Sequence, residues 1–172
     1  MKGRPPIVLV TGGARSGKSR FALARAESLG SPRVFLATAE ARDAEMAARI
    51  ARHRAERGSR WRTVEEPLAI AAVLKRRQRG VVVIDCLTLW LANQMGDCPT
   101  TSLAPAVDEL IEALSLRRSG VVAVTNEVGV GIVPESALAR AFRDAIGCLN
   151  QRVAAIADEV FLLVAGQALR IK

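Results

Sequence analysis

Aromatic side chains are scarce in this sequence, which has no tyrosine, two tryptophans and four phenylalanines among 172 residues. Proteins that bind single-stranded nucleic acid stack bases on exposed rings, and few rings are available here. The formal net charge of +8 would suit a phosphate backbone, but it would suit a small polyphosphate equally well. We therefore expect a small anionic substrate and no nucleic acid.

Metal-binding and disulfide patterns are also missing. The three cysteines, Cys86, Cys98 and Cys148, form no CxxC pair, and one histidine is present to join them. A zinc site needs four such ligands at suitable spacing. We interpret the cysteines as reduced packing residues.

Long apolar runs are absent as well. The longest, Val81 to Ala92, is interrupted by Asp85 and falls short of the roughly 20 residues that a bilayer requires. Near the start, Ile7 to Val10 meets Thr11 too early for a secretory signal. No low-complexity linker or repeat divides the chain, so we expect one cytoplasmic domain over residues 1–172 without a membrane span.

Short β-branched runs alternate with helical patterns. This alternation predicts an α/β fold with a mainly parallel central sheet and helices on both faces, in three layers. The predicted strands are Ile7 to Val10, Arg33 to Ala37, Val81 to Ile84, Val121 to Thr125, and a terminal pair near Val160 to Val164 and Ala168 to Ile171. The predicted helices are Lys18 to Leu29, Glu40 to Arg57, Leu68 to Arg77, Ser102 to Arg117 and Glu135 to Asp158.

A complete GxxxxGK[ST] motif, Gly12 to Ser19, joins the first strand to the first helix. Its glycines let backbone N–H groups turn toward phosphate oxygens, and the helix adds its positive end. Lys18 reaches the β- and γ-phosphates, and Ser19 can ligate Mg²⁺. The motif predicts a nucleoside triphosphate site in a fold like that of P-loop NTPases.

Asp85 ends a buried strand, where it could hold the metal ion. A carboxylate in that place is often a turn or helix cap. The P-loop makes Mg²⁺ ligation the better interpretation.

His53 is the sole histidine and follows Met46 and Ile50 at helical spacing. It is surrounded by arginines in the most basic stretch of the chain. One interpretation is a half-buried structural imidazole, and the other is a nucleophile or general base among phosphate-binding arginines. The pattern alone leaves both open.

The polar residues Thr125, Asn126 and Glu127 follow another buried strand and precede a loop rich in glycine. The loop could simply connect strand to helix. Its polar start would also suit a substrate site, since α/β sheets bind ligands at the carboxyl ends of their strands.

Taken together, these motifs resemble the bifunctional adenosylcobinamide kinase / adenosylcobinamide-phosphate guanylyltransferase family of cobalamin biosynthesis. The resemblance covers nearly the whole chain. It rests on the P-loop, Ala37-Thr38-Ala39, Asp43 to Ile50 leading to His53, Trp61-Arg62-Thr63, Asp85 to Thr88, Thr125 to Gly129, Gly131 to Glu135, and Asn150-Gln151-Arg152.

The resemblance implies a set of site residues. His53 would be the guanylylated histidine, alongside the roles that the motifs themselves predict, with Lys18 as the second catalytic residue and Ser19 and Asp85 as the metal ligands. The implied nucleotide site comprises Gly12, Gly13, Ala14, Arg15, Ser16, Gly17, Lys18, Ser19, Ala37, Thr38, Ala39, Arg54, Ala55, Glu56, Arg57, Glu65 and Asp85.

The resemblance also implies two reactions in a homotrimer. ATP or GTP, with Mg²⁺, would phosphorylate adenosylcobinamide; GTP would then guanylylate His53, which passes GMP to adenosylcobinamide phosphate. The products are adenosyl-GDP-cobinamide and pyrophosphate. Two alternatives are a monofunctional P-loop small-molecule kinase with a structural His53, and a nucleotide-dependent nucleic-acid-binding protein.

Overall fold

A computed structural model of the chain describes residues 4–41, 43–76 and 79–172. These residues form seven strands and six helices, which alternate except at one pair of consecutive helices and at the last two strands. In chain order they are β1 (Ile7–Gly12), α1 (Lys18–Leu29), β2 (Arg33–Ala37), α2 (Ala44–Arg57), β3 (Arg62–Glu65), α3 (Ile70–Lys75), β4 (Val81–Asp85), α4 (Leu87–Met95), α5 (Ala104–Ser115), β5 (Gly120–Val124), α6 (Ala137–Ile156), β6 (Glu159–Val164) and β7 (Gln167–Arg170).

All seven strands join one sheet in the order β3-β2-β4-β5-β1-β6-β7. Every neighbouring pair is parallel except β6 and β7, which form an antiparallel hairpin. The predicted mainly parallel sheet is therefore confirmed.

Strand register brings the functional segments to one edge of this sheet. Ala37 pairs with Asp85, Asp85 with Val124, and Val124 with Val10, so the carboxyl ends of four strands lie in one row. Glu65 extends the row through its pairing with Ala37. The P-loop and the polar segment after β5 consequently begin at the same level.

Helices cover both faces of the sheet, because alternate strand residues point to opposite sides. Val8 and Val10 of β1 face Ala22 and Ala26 of α1, whose small side chains let helix and sheet approach closely. The opposite face carries the larger core, packed by residues of α3, α4, α5 and α6. The result is the predicted three-layer arrangement.

Two elements were not predicted, and one helix was predicted too long. α2 begins at Ala44 rather than Glu40, because Asp43 caps it by accepting a 2.7 Å hydrogen bond from the Met46 amide. β3 and α4 were missing from the prediction. The predicted end of the third helix at Arg77 lies outside the described residues, and the remaining strand and helix boundaries agree to within about two residues.

The cysteines only partly match their expected packing role. Cys86 is buried, and burial raises the pKa of its thiol to about 11. Cys98 and Cys148 are exposed, so the packing interpretation is wrong for these two.

Within the described ranges, no helix is long and apolar enough to cross a membrane.

Candidate functional site

The P-loop, residues 12–19, leaves the carboxyl end of β1 and wraps toward α1. Gly12 has φ +144°, and a Cβ there would stand 2.4 Å from the Leu163 carbonyl oxygen, so only glycine fits. Gly17 also has a positive φ and directly precedes α1. Gly13, Ala14 and Arg15 are exposed at the tip of the loop. The backbone therefore has the shape that phosphate binding at a helix N-terminus requires.

Lys18 is the first residue of α1 and is 8% exposed. Its ammonium donates a hydrogen bond to the Gly13 carbonyl oxygen within the loop. This contact holds the cation inside the curve of the P-loop, where the phosphates of a nucleotide would lie.

Ser19 and Asp85 line one cavity of about 90 Å³ at the carboxyl edge of the sheet. The same cavity is lined by Ala37 at the end of β2, by Ala39 just after it, and by Met46, Ile50 and Arg57 of α2. A hydroxyl and a carboxylate are oxygen donors of the kind that Mg²⁺ prefers. In the described part of the chain, no group of three or more His, Cys, Asp or Glu side chains is arranged to hold a metal ion.

Thr38 does not line this cavity, although Ala37 and Ala39 do. Its side chain is fully buried and exchanges two 2.8 Å hydrogen bonds with the backbone of Cys86. Asn93 of α4 donates to the Thr38 carbonyl oxygen at 2.8 Å. Thr38 therefore joins the end of β2 to the end of β4 and positions Asp85 indirectly.

The C-terminal turn of α2 is attached to the sheet by arginines. The Arg57 guanidinium lies 3.6 Å from the ring centroid of Phe35, and Arg57 is 8% exposed. Arg57 also donates to the Thr63 hydroxyl at 3.5 Å. Arg54 and Glu65 form an exposed ion pair at 3.7 Å, which contributes little stability by itself.

His53 and Glu56 lie on α2, and Ala55 is exposed there. The side chains of His53 and Glu56 lie outside what the structure describes. The helix backbone places His53 seven residues after Met46, two turns farther along α2. Met46 and Ile50 line the cavity that contains Ser19 and Asp85. The predicted role of His53 thus stays a prediction.

A polar network lies beside the P-loop, on the side of β5. The Thr11 hydroxyl donates to Glu127 Oε1 at 2.6 Å, and the Glu127 amide donates to the Gly12 carbonyl oxygen at 3.3 Å. Asn150 of α6 donates through Nδ2 to the Asn126 carbonyl oxygen at 3.1 Å and to Glu127 Oε1 at 3.5 Å. The loop after β5 is thereby bonded directly to the start of the P-loop.

Two buried threonines, Thr88 and Thr125, form hydrogen bonds with the residues of this network. Thr125 is fully buried and donates to Asn150 Oδ1 at 2.7 Å. Thr88 of α4 accepts from the Asn126 amide at 2.9 Å and lies 3.4 Å from the Thr125 hydroxyl. These contacts fix the orientation of the Asn150 amide, with its NH₂ group toward Glu127.

Sequence reasoning assigned no role to Thr11, Thr88 or Asn150. Thr11 resembles an ordinary last strand residue, and Asn150 lies 23 residues after Glu127 in the middle of a long helix. The available signal for Asn150 was the Asn150-Gln151-Arg152 segment, which contributes to the family resemblance. Only the packing of α6 brings it to the site.

A second and larger cavity, about 680 Å³, lies at the opposite, amino-terminal edge of the sheet. Its lining includes Pro5, Pro6 and Gly80. None of the predicted site residues reaches it. Parallel α/β sheets bind their ligands at the carboxyl edge, which supports the smaller cavity as the functional one.

Comparison with known sequences finds a matching family model and similar proteins. Residues 8–171 match the family model described as cobinamide kinase / cobinamide phosphate guanyltransferase. The chain is 42% identical over 166 residues to the bifunctional adenosylcobalamin biosynthesis protein CobP of Pseudomonas aeruginosa, covering 95% of this chain and 96% of that protein. It is 41% identical to the bifunctional adenosylcobalamin biosynthesis protein CobU of Escherichia coli, with 96% and 99% covered.

Solved structures with a similar fold include the RadB recombinase, with a TM-score of 0.53, 17% identity, and 93% of this chain and 76% of that chain covered. A type III secretion system ATPase has a TM-score of 0.54 at 15% identity, with 92% and 51% covered. At such low identity these likenesses concern the fold alone. The fold is the predicted P-loop NTPase type of α/β structure.

Proposed function

The chain belongs to the cobinamide kinase / cobinamide phosphate guanyltransferase family, and from that premise we propose how its residues divide the two reactions. It is a bifunctional enzyme of adenosylcobalamin biosynthesis. It phosphorylates cobinamide and then transfers a guanylyl group to the cobinamide phosphate. The observation that carries the residue assignment is the row of strand ends that brings the P-loop, Asp85 and the loop after β5 to one edge.

In the kinase step, the hydroxyl of adenosylcobinamide attacks the γ-phosphorus of ATP or GTP. Lys18 and the P-loop amides hold the phosphates and balance the charge that develops on the transferred group. The buried position of Lys18 supports this role, because a cation shielded from water interacts more strongly with phosphate.

Ser19 and Asp85 would hold Mg²⁺, since both line the same cavity next to the P-loop. When bound there, the ion would neutralise charge on the phosphate oxygens. Thr38 and Asn93 keep Asp85 in place through the backbone of the adjoining strand ends.

In the guanylyl step, we assign His53 as the nucleophile. A neutral imidazole nitrogen forms a bond to the α-phosphorus of GTP, the bond to the bridging oxygen breaks, and pyrophosphate leaves with that electron pair. A phosphate oxygen of adenosylcobinamide phosphate then displaces the imidazole and takes the GMP group. The product is adenosyl-GDP-cobinamide.

Two features support the His53 assignment. Met46 and Ile50, on the same helix, line the cavity of Ser19 and Asp85. Arg54 and Arg57, which we assign to the nucleotide site, follow His53 within the next turn of α2, and Arg57 packs on Phe35. Ala55, Glu56 and Glu65 complete the proposed binding segment around the end of α2.

Covalent labelling tests this assignment. Incubation with Mg²⁺ and α-labelled GTP should leave label on the protein, whereas γ-labelled GTP should leave none. The phosphorus–nitrogen bond should be labile in acid and comparatively stable in base, unlike an acyl phosphate on Asp or Glu. His53→Ala should abolish labelling and guanylyl transfer while kinase turnover continues, because γ-phosphoryl transfer uses Lys18.

Unfolded wild-type protein serves as the control for non-specific labelling and should remain unlabelled. Undiminished α-label on a folded His53→Ala protein would show that the nucleophile lies elsewhere. The monofunctional kinase with a structural His53 would then be the better description.

Three further properties belong to the same proposal. We propose a homotrimer, following the family resemblance, and sedimentation of the purified protein would test it. We propose a cytoplasmic location, in keeping with nucleoside triphosphate substrates and three free cysteines. We also propose that nucleic acid is not a ligand.

A further inference from the structure

Glu127 has an unusual combination of restraint and exposure. Its Oε1 accepts from the Thr11 hydroxyl at 2.6 Å and from Asn150 Nδ2 at 3.5 Å. Within the described ranges, no donor bonds to Oε2, and the residue is exposed. One carboxylate oxygen is thus held by the protein, while the other can meet a substrate.

The position of this carboxylate is tied to the P-loop. The Glu127 amide donates to the Gly12 carbonyl oxygen, and Thr11 directly precedes Gly12. Asn150 is itself oriented by the buried Thr125 hydroxyl, so its NH₂ group points to the carboxylate. These contacts fix the Glu127 carboxylate beside the first residues of the P-loop, the segment that would bind the phosphates of the nucleotide.

In the kinase step, the acceptor hydroxyl loses a proton, and some group must accept it. When the acceptor hydroxyl oxygen bonds to the γ-phosphorus, its O–H bond must break, and the nucleoside diphosphate leaves with the electrons of the broken bridging bond. Lys18 is a cation and cannot take the proton. Asp85 would be a ligand of Mg²⁺, and a carboxylate bound to a divalent cation is a poor proton acceptor.

We propose that Glu127 is the catalytic residue that receives the proton of the acceptor hydroxyl in the kinase step, with Thr11 and Asn150 as its positioning residues. Oε2 takes the proton as the oxygen–phosphorus bond forms, and the carboxylic acid then releases it to water. This inference rests on the proposed function. The guanylyl step needs no such base, because its acceptor is already an ionised phosphate.

The proposal can be tested because the kinase step needs a proton acceptor and the guanylyl step does not. Glu127→Gln keeps an oxygen that can accept from Thr11 and Asn150 but cannot take a proton. We expect kinase kcat to fall by about 10²-fold or more, the usual contribution of general base catalysis, with the KM for adenosylcobinamide little changed. Labelling by α-labelled GTP, and guanylyl transfer to preformed adenosylcobinamide phosphate, should stay at the wild-type level.

Two more variants refine the result. Glu127→Asp keeps the carboxylate on a shorter side chain and should recover part of the kinase turnover lost in Glu127→Gln. Glu109→Gln is the matched control, because it removes the same charge from an exposed glutamate. Glu109 lies on α5, where it pairs with Lys75. Both activities of Glu109→Gln should equal those of wild type.

Each contrary result has a distinct meaning. Wild-type kinase turnover in Glu127→Gln would overturn the role of Glu127 while leaving the proposed function intact. Equal loss of both activities in a folded Glu127→Gln protein would show a structural support for the P-loop and also overturn it. Wild-type protein that does not phosphorylate adenosylcobinamide would overturn the proposed function itself.

Discussion

Lys18 is the residue whose replacement should separate folding from catalysis most clearly. Lys18→Ala removes the P-loop cation but no part of the apolar core, so we expect the protein to fold. Phosphoryl transfer should fall by about 10²- to 10³-fold, the scale for losing one preorganised charge-stabilising donor. Steady-state kinase assays on the folded variant measure this effect.

Lys75→Ala provides the matched control for Lys18→Ala. Lys75 is exposed on α3, where it pairs with Glu109 and Glu112, and its hydrogen bond to Glu112 raises the pKa of its ammonium group. Loss of this surface cation should leave turnover unchanged. Near-normal kinase turnover in folded Lys18→Ala would contradict the P-loop assignment.

The residues of the site could be predicted only where the neighbouring sequence determines their position. The P-loop and Asp85 follow strands directly, so strand prediction alone placed them at the sheet edge. The assignment of Thr38 to the nucleotide site stays a prediction, and the bonding of its side chain to the Cys86 backbone is something that no sequence pattern indicates. Asn150 reaches Glu127 through the tertiary packing of α6. Its contribution could not be predicted without the structure.

Among the elements, α2 depends on a single side-chain cap at its N-terminus. Asp43 Oδ1 accepts from the Met46 amide at 2.7 Å. Asp43→Ala should lower the free energy of unfolding by about 1 kcal/mol, the typical loss of a capping side chain. Urea denaturation measures the loss, and amide hydrogen exchange should show it concentrated in α2. Guanylyl transfer should decline more than kinase turnover, since His53 lies on this helix.

Asp97→Ala is the control for this helix cap. Asp97 is an exposed acidic residue just after Gly96, at the C-terminal end of α4. An aspartate there opposes the helix dipole, so its removal should not destabilise the protein. Equal stability of Asp43→Ala and wild type would show that the cap does not determine the start of α2.

The two unpredicted elements lacked the periodic signal that identifies the others. α4 follows the apolar strand β4 after one residue and buries Leu87, Thr88, Trp90 and Leu91, so the sequence runs on without a polar face. β3 has four residues, and mainly Val64 packs on the core. Short edge strands and fully buried helices are ambiguous by pattern, because burial rather than periodicity determines them.

The charge of the whole molecule and the small size of the site cavity both support a small anionic ligand. The chain carries a formal net charge of +8, and one of its cations, Arg57, lines the small cavity at the carboxyl edge of the sheet. All seven strands join one sheet, and the expectation of a single domain over residues 1–172 stays a prediction.

The whole surface also offers little for nucleic-acid bases to stack on. All six aromatic side chains are buried or half-buried. Trp90 and Trp61 are 1% and 8% exposed, Phe35 is covered by the Arg57 guanidinium, and Phe21 packs on Phe161 with ring centroids 4.9 Å apart. What remains for an oligonucleotide is attraction between arginines and phosphates, which does not depend on sequence.

We therefore expect single-stranded and duplex oligonucleotides to bind weakly, with dissociation constants of about 10⁻⁴ to 10⁻⁶ M at physiological salt and no sequence preference. Fluorescence anisotropy at several salt concentrations measures this, and affinity should fall steeply as salt rises because each phosphate contact releases counterions. GTP should compete, since Arg54, Arg57 and Lys18 would serve both ligands. Nanomolar, sequence-selective binding that GTP does not displace would require a recognition surface other than this site, and the nucleic-acid-binding alternative would then account for the charge.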